Sequence, residues 1–175
     1  MAKRFLLTYF ATWLPHQQSN PSDDLLIELF RLDCISHDLN LLRLLPVDIE
    51  LARNRVLEKI AQLQPDKIIC CGMAESRQSL TVESQANRIC IDGEENILPT
   101  QVDLEQLILE TSAVKVSHDC GKFVCEGLYY SVLDYLGQNH PYIDCIFVHV
   151  PILTEKNLPI IMADFLLIVD KMALL

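Results

Sequence analysis

Glycine is scarce in this 175-residue chain, with five in all, and none falls in a G-x-G-x-x-G or G-x-x-x-x-G-K-[ST] pattern. That excludes the usual nucleotide-binding loops, whose glycines let backbone amides close on phosphates. No G-x-S-x-G occurs either, so the strained elbow that presents a nucleophilic serine is missing. Basic residues are outnumbered: 14 Lys and Arg stand against 24 Asp and Glu, for a net charge of −10. Phosphate neutralisation supplies most nucleic-acid affinity, so unaided nucleic-acid binding is not expected. Docking on an anionic membrane surface is disfavoured for the same reason. No apolar run reaches the roughly 18–20 residues of a membrane span. The strongest candidate, 158–169, carries Asp164. Lys3 and Arg4 precede an apolar stretch, 5–14, that imitates a signal peptide. It is read as a first strand, because Trp13, Leu14 and Pro15 stand where small cleavage-site residues belong.

Cysteine is plentiful, yet its pattern excludes two further classes. Cys34, Cys70, Cys71, Cys90, Cys120, Cys125 and Cys145 are odd in number and scattered. They form no disulfide framework, and free thiols suit a reducing cytosol. No C-x-x-C pair exists. The cluster His118, Asp119, Cys120 and Cys125 lacks the second ligand pair that a zinc site needs, so no metal and no cofactor is expected.

Half the residues are apolar and 22% are charged, which is the composition of a globular chain, and residues 1–175 are expected to form one domain. Strand and helix signals alternate. Strands are expected at 3–9, 41–46 and 67–72. The last carries a non-alternating Ile68-Ile69-Cys70-Cys71 run, as in a strand covered on both faces. A helix starts at Asn20-Pro21-Ser22, with Leu25, Leu26, Leu29, Phe30 and Leu32 at helical spacing. Another follows Asp48, with Ile49, Ala52, Val56, Ile60 and Leu63 as its apolar stripe, and Pro65 stops it. The stretch 75–85 is polar and reads as irregular. A short strand at 88–92, a turn at 93–96 and a helix at 102–109 follow. A fourth main strand is expected at 113–117. A helix then opens near Cys125, with Gly137 as its C-terminal stop. A last central strand at 143–150 and a closing helix at 159–174 complete the chain. This order predicts a three-layer α/β/α fold with a mostly parallel twisted sheet. Its site lies at the carboxyl ends of the strands.

That rule singles out Cys125, which follows a strand and opens a helix. The helix dipole is expected to favour its thiolate. A nucleophilic thiol needs a base, usually His, and often a carboxylate to orient that base. His149, at the end of the last strand, and Glu83, beyond the strand at 67–72, are placed to serve. Each has a plainer role available: core packing for Cys125 and His149, and a solvated loop for Glu83.

The segment Val116-Ser117-His118-Asp119-Cys120-Gly121-Lys122-Phe123-Val124-Cys125 resembles the V-S-N-S-A-G-x-F-V-C motif of the pyroglutamyl peptidases (pyrrolidone-carboxylate peptidases). Phe147-Val148-His149-Val150-Pro151 is similar to their F-x-H-V-P motif. Leu80-Thr81-Val82-Glu83 is similar to their L-T-x-E, and Pro65-Asp66-Lys67-Ile68-Ile69-Cys70-Cys71-Gly72 to the strand before it. The resemblance implies a cytoplasmic cysteine exopeptidase that removes N-terminal pyroglutamate from peptides. It assigns Cys125 as nucleophile, His149 as base and acid, and Glu83 as the group orienting His149. It further implies Arg88 near the oxyanion, beside the Cys125 N–H, and a substrate pocket of Phe10, Trp13, Asn20, Met73, Ile89 and Val124. Its partner is a pyroglutamyl peptide, with a homodimer or homotetramer both open.

Departures stand beside the matches. The family's N-terminal G-F-x-P-F-G-G is Tyr9-Phe10-Ala11-Thr12-Trp13-Leu14-Pro15 here, without its glycines. Its Gln is Met73, its Gly-Gly is Glu75-Ser76, its motif Asn is His118, and the stretch from Glu83 to Arg88 is shortened. A related amidase of divergent specificity and a non-catalytic binding protein on the same fold are the alternatives.

Overall fold

The computed structural model describes residues 1–32, 35–90 and 92–175. Cys34 lies outside the described residues, as does Ile91 within the strand expected at 88–92. Strand β1 (Arg4–Phe10) leads to helix α1 (Pro21–Arg31), then β2 (Asp38–Leu45), α2 (Ile49–Leu63) and β3 (Lys67–Met73). Three short strands follow: β4 (Thr81–Glu83), β5 (Gln85–Ile89) and β6 (Glu95–Pro99). The chain continues through α3 (Leu104–Ile108), β7 (Lys115–Ser117), α4 (Val124–Asn139), β8 (Asp144–Val150) and α5 (Leu158–Leu174).

Six strands form one sheet in the order β2-β1-β3-β8-β4-β7, and β5 and β6 pair as a separate hairpin. Only β4 against β8 is antiparallel in the large sheet. Helices on both faces bury two apolar layers. Phe5, Leu7, Ile69, Ile146, Val148 and Phe165 belong to one; Leu6, Ile68, Phe147, Val56, Leu128 and Tyr129 belong to the other. The alternation of Leu6 and Leu7, or Phe147 and Val148, between layers is the period-two geometry of a strand with two covered faces.

The helix starts follow their caps. Asn20 Oδ1 accepts from Ser22 N at 3.0 Å and Asp48 Oδ1 from Leu51 N at 2.9 Å, each at the start of its helix, where four backbone donors lack partners. Leu25, Leu26 and Leu29 are buried as their spacing predicts, whereas Phe30 is exposed. In α2, Ala52, Val56 and Ile60 are buried and Ile49 is exposed.

Three expectations need correction. Gly137 does not stop α4, which runs on to Asn139; an exposed glycine late in a helix costs about 1 kcal/mol without breaking it. The stop comes at His140, held out of the helical region by Pro141. The turn at 93–96 lies earlier, around Gly93 with φ +85°, and Glu95 already belongs to β6. The irregular stretch 75–85 contains β4, an interior strand of the sheet. Three residues are too few for a periodic signal, and β4 exists because β7 and β8 pair with it on either side.

Candidate active site

Two strand registers bring the acid to the histidine. Thr81 pairs with His149 and Glu83 with Phe147 across the antiparallel β4–β8 ladder. Glu83 is therefore the diagonal neighbour of His149 on one sheet face, within reach of a long side chain. Glu83 Oε1 lies 2.8 Å from His149 Nδ1, and Glu83 has no exposed surface. Burial alone would raise the Glu83 carboxyl. Hydrogen bonds from His149 and Ser117, the charge His149 carries when protonated, and a hydrogen bond from Arg77 outweigh it and hold the group below the ordinary carboxylate range. An ionised carboxylate only accepts, so Nδ1 carries the proton it donates, and in the neutral imidazole Nε2 is the acceptor.

Cys125 is the second residue of α4, which opens after Phe123 with no side-chain cap. The N–H groups of the first turn are thus free to meet an anion. The sulfur sits against β3: a Cβ placed on Gly72 would come 2.8 Å from Cys125 Sγ and 2.9 Å from Phe147 Cζ. Gly72 is needed here for close approach, not for a special backbone conformation. The expected depression of the thiol is reversed. Burial, followed by the charge of Glu83 and the neighbouring Cys70, pushes Cys125 up to about 12, against a smaller opposite effect of Arg77. Desolvation outweighs the helix dipole at this position. Cys125 at rest is therefore a neutral thiol. No hydrogen bond joins Sγ to the His149 ring among the described residues, a looseness common before substrate binds.

A cavity of about 300 Å³ opens over these groups, lined by Cys125 and His149 together with Phe10, Trp13, Asn20, Met73 and Val124. Phe10 and Val124 are buried walls. Asn20 also reaches it, although its Oδ1 is engaged by Ser22. Trp13 is 54% exposed and rests on Phe123 with ring centroids 5.2 Å apart, so it forms a rim instead of narrowing the interior. Arg88 and Ile89 are the two misplaced residues. Both sit on the β5–β6 hairpin: Arg88 lies over the Tyr130 ring at 5.6 Å, and Ile89 is 78% exposed. Neither lines the Cys125 cavity. The hairpin is a separate sheet whose pairing carries these residues away from the strand ends.

Sequence reasoning missed Arg77. Its Nη1 lies 2.5 Å from Glu83 Oε1, its Nη2 bonds the Asp119 carbonyl at 2.8 Å, and the residue borders the cavity. A signal for it exists: a wholly buried carboxylate needs a cation, and Arg77 is the only basic residue between Lys67 and Arg88.

No family profile matches the chain. Among curated proteins, a Bacillus amyloliquefaciens pyrrolidone-carboxylate peptidase is 31% identical over 122 residues, covering 58% of this chain and 57% of that protein. A Bacillus velezensis protein of the same name is 34% identical over the same shares. The matched segment thus spans under three fifths of these relatives' length. Among solved structures, the pyroglutamyl peptidase I of Bacillus amyloliquefaciens superposes with a TM-score of 0.82 at 24% identity, over 100% of this chain and 97% of that one. The pyrrolidone carboxyl peptidase of Thermococcus litoralis gives 0.77 at 19%, over 98% and 93%. Sequence relatives of one name and a fold shared from end to end point the same way: over part of its length the chain is similar to pyrrolidone-carboxylate peptidases, and it has the fold of pyroglutamyl peptidase I.

Proposed function

We propose that this protein is a cysteine exopeptidase that removes N-terminal pyroglutamate from peptides through Cys125, His149 and Glu83. The observation that carries this reading is the 2.8 Å pair of Glu83 and His149 opening onto the cavity that also receives Cys125. In the first step His149 Nε2 takes the thiol proton while Sγ attacks the carbonyl carbon that joins pyroglutamate to the next residue. The oxyanion is met by N–H groups at the start of α4, a contribution of a few kcal/mol. The C–N bond then breaks, and His149 returns the proton to the departing amine, leaving a thioester on Cys125. Water, deprotonated by His149, attacks that thioester and releases pyroglutamate and the thiol. Glu83 keeps the imidazole in the required tautomer throughout.

The raised thiol fits this order of events. Cys125 is a poor spontaneous nucleophile at neutral pH, so its proton leaves to His149 as attack begins, not to solvent beforehand. The six described cysteines are all free, which favours a reducing compartment such as the cytoplasm. No helix among the described residues is long and apolar enough to cross a membrane. A second reading, an amidase for another small N-terminal group, draws support from Met73, an apolar side chain lining the cavity where the family carries an amide. Arylamides of pyroglutamate, proline and glutamine, assayed with the wild type and Cys125→Ala, decide between them. Cysteine-dependent preference for the prolyl or glutaminyl compound would favour the amidase.

A further inference from the structure

We propose that Arg77 is a positioning residue of this site: its guanidinium fixes Glu83 beneath His149 and ties that pair to the loop that delivers Cys125. The proposal rests on the triad reading above and adds a fourth member to it. One planar group reaches three separate elements. Nη1 lies 2.5 Å from Glu83 Oε1, the same oxygen that accepts from His149, and also bonds Thr81 Oγ1. Nη2 lies 2.8 Å from the Asp119 carbonyl and 3.3 Å from Ser117 Oγ. Thr81 and Glu83 belong to β4, Ser117 ends β7, and Asp119 stands in the loop that enters α4. Asp119 is in turn held by Ser117, its N–H donating to Ser117 Oγ at 3.2 Å. A shift of the guanidinium would therefore move the acid and the nucleophile loop together.

Charge requires the same group. Glu83 is wholly buried, and its second oxygen has no hydrogen-bond partner. A buried anion of this kind needs a cation within contact distance. When Sγ passes its proton to His149, a thiolate and an imidazolium appear. With Arg77 in place, Glu83 and Arg77 cancel and the new pair stands alone. Without it, Glu83 opposes the thiolate. The other groups facing the sulfur do not replace Arg77. Cys70 comes from β3 and Cys120 from the preceding loop, with Glu126 of α4 acting on Cys120; at neutral pH none is positive. Lys122, the remaining cation bordering the cavity, has no hydrogen bond to the Glu83–His149 pair among the described residues. Lysine at position 77 would restore the charge but not the fork, because an ammonium cannot span Glu83 and Asp119 in one plane.

The test compares the full-length wild type with Arg77→Met, Arg77→Lys and the double variant Arg77→Met/Glu83→Gln. Two measurements are made: iodoacetamide labelling of Cys125 against pH, followed by peptide mass spectrometry, and turnover of a pyroglutamyl arylamide. Arg77→Met is expected to move labelling to higher pH and to lower kcat on the order of 100-fold, with KM changed less than about threefold, as for a misplaced catalytic group. Arg77→Lys is expected to return the labelling profile towards wild type while leaving most of the kcat loss. In the double variant, labelling is expected back near the wild-type pH, because acid and cation leave together. If Arg77→Met fails to fold, Arg77→Lys and the charge-neutral double variant still carry the comparison. Wild-type labelling and wild-type kcat in Arg77→Met, or in Arg77→Lys should the first not fold, would overturn the proposal. If the wild type turns over no pyroglutamyl compound, the substrate reading fails by itself, and the labelling profiles still judge Arg77.

Discussion

Glu83 and Trp13 both lie near Cys125, yet they are held in opposite ways. Glu83 is sealed in the sheet and fixed by Arg77, His149 and Thr81. Trp13 is more than half exposed and rests on one other aromatic ring. Its loop is tied by Gln17, whose side-chain carbonyl accepts from the Trp13 and Leu14 amides and whose amide reaches Glu75. Exposed polar ties of that kind are worth little each. The floor of the site is thus built from strand ladders and buried charge, and the rim from replaceable surface contacts. The exposed departures from the family pattern, Trp13 and Glu75-Ser76, fall on the rim, and Met73 lies below them in β3, whereas His149, Glu83 and Arg77 form one hydrogen-bonded unit.

The contrast can be broken first at the nucleophile. Cys125→Ala is expected to lower turnover of the pyroglutamyl arylamide by at least about 10³-fold, with the circular dichroism spectrum unchanged. Next come His149 and Glu83. His149→Ala is expected to cost more in kcat than Glu83→Ala, because the base acts directly and the acid orients it. In stability the order reverses: Glu83→Ala leaves Arg77 without its buried partner and is expected to cost about 3 kcal/mol by urea titration. Equal loss of stability in the two variants would contradict this account of the floor. Gly72→Ala tests the packing beneath the sulfur. Its new methyl meets Sγ and the Phe147 ring, so a loss of about 1–3 kcal/mol is expected, with slower alkylation of Cys125.

Rim variants should behave differently. Trp13→Ala is expected to raise KM several-fold while the urea midpoint stays within about 0.5 kcal/mol of wild type. Arg88→Ala should leave kcat within about threefold, since its guanidinium lies over Tyr130 and outside the cavity. A large kcat loss there would return Arg88 to the oxyanion. The smallest effect is acid sensitivity. Glu83 is held below the ordinary carboxylate range in the folded chain. The unfolded chain therefore binds the proton more readily, and the stability from this group, complete at neutral pH, is lost as pH falls through the folded value. Urea midpoints measured from about pH 6 to pH 3 should fall less steeply for Glu83→Gln than for wild type.

The fold, and the meeting of Cys125 and His149 at one cavity, were legible because their signals are local. Cys125 opens a helix after a strand, and His149 ends an apolar strand, so the strand-end rule brings both to one edge. Glu83 was reached by motif, but its burial was not foreseen, because β4 is a three-residue strand defined by neighbours on either side. Arg77 was hidden by the same polar stretch. Arg88 and Ile89 were placed by likeness across a shortened segment, and the hairpin there turns them elsewhere. The thiol's acidity was misjudged because helix position shows in a sequence, whereas the depth of the sulfur under Gly72 does not.

The place of β8 in the sheet has a consequence for how the protein is made. It follows every other strand of this sheet in sequence, yet it lies between β3 and β4. Without residues 144–150, no ladder joins β2-β1-β3 to β4-β7. Long-range closures of this sort come late, because chain entropy must be overcome before their contacts form. Glu83 waits on one piece and Gly72 on the other. Cys125 therefore gains its histidine and carboxylate neighbours in one event, when β8 slots between the two pieces.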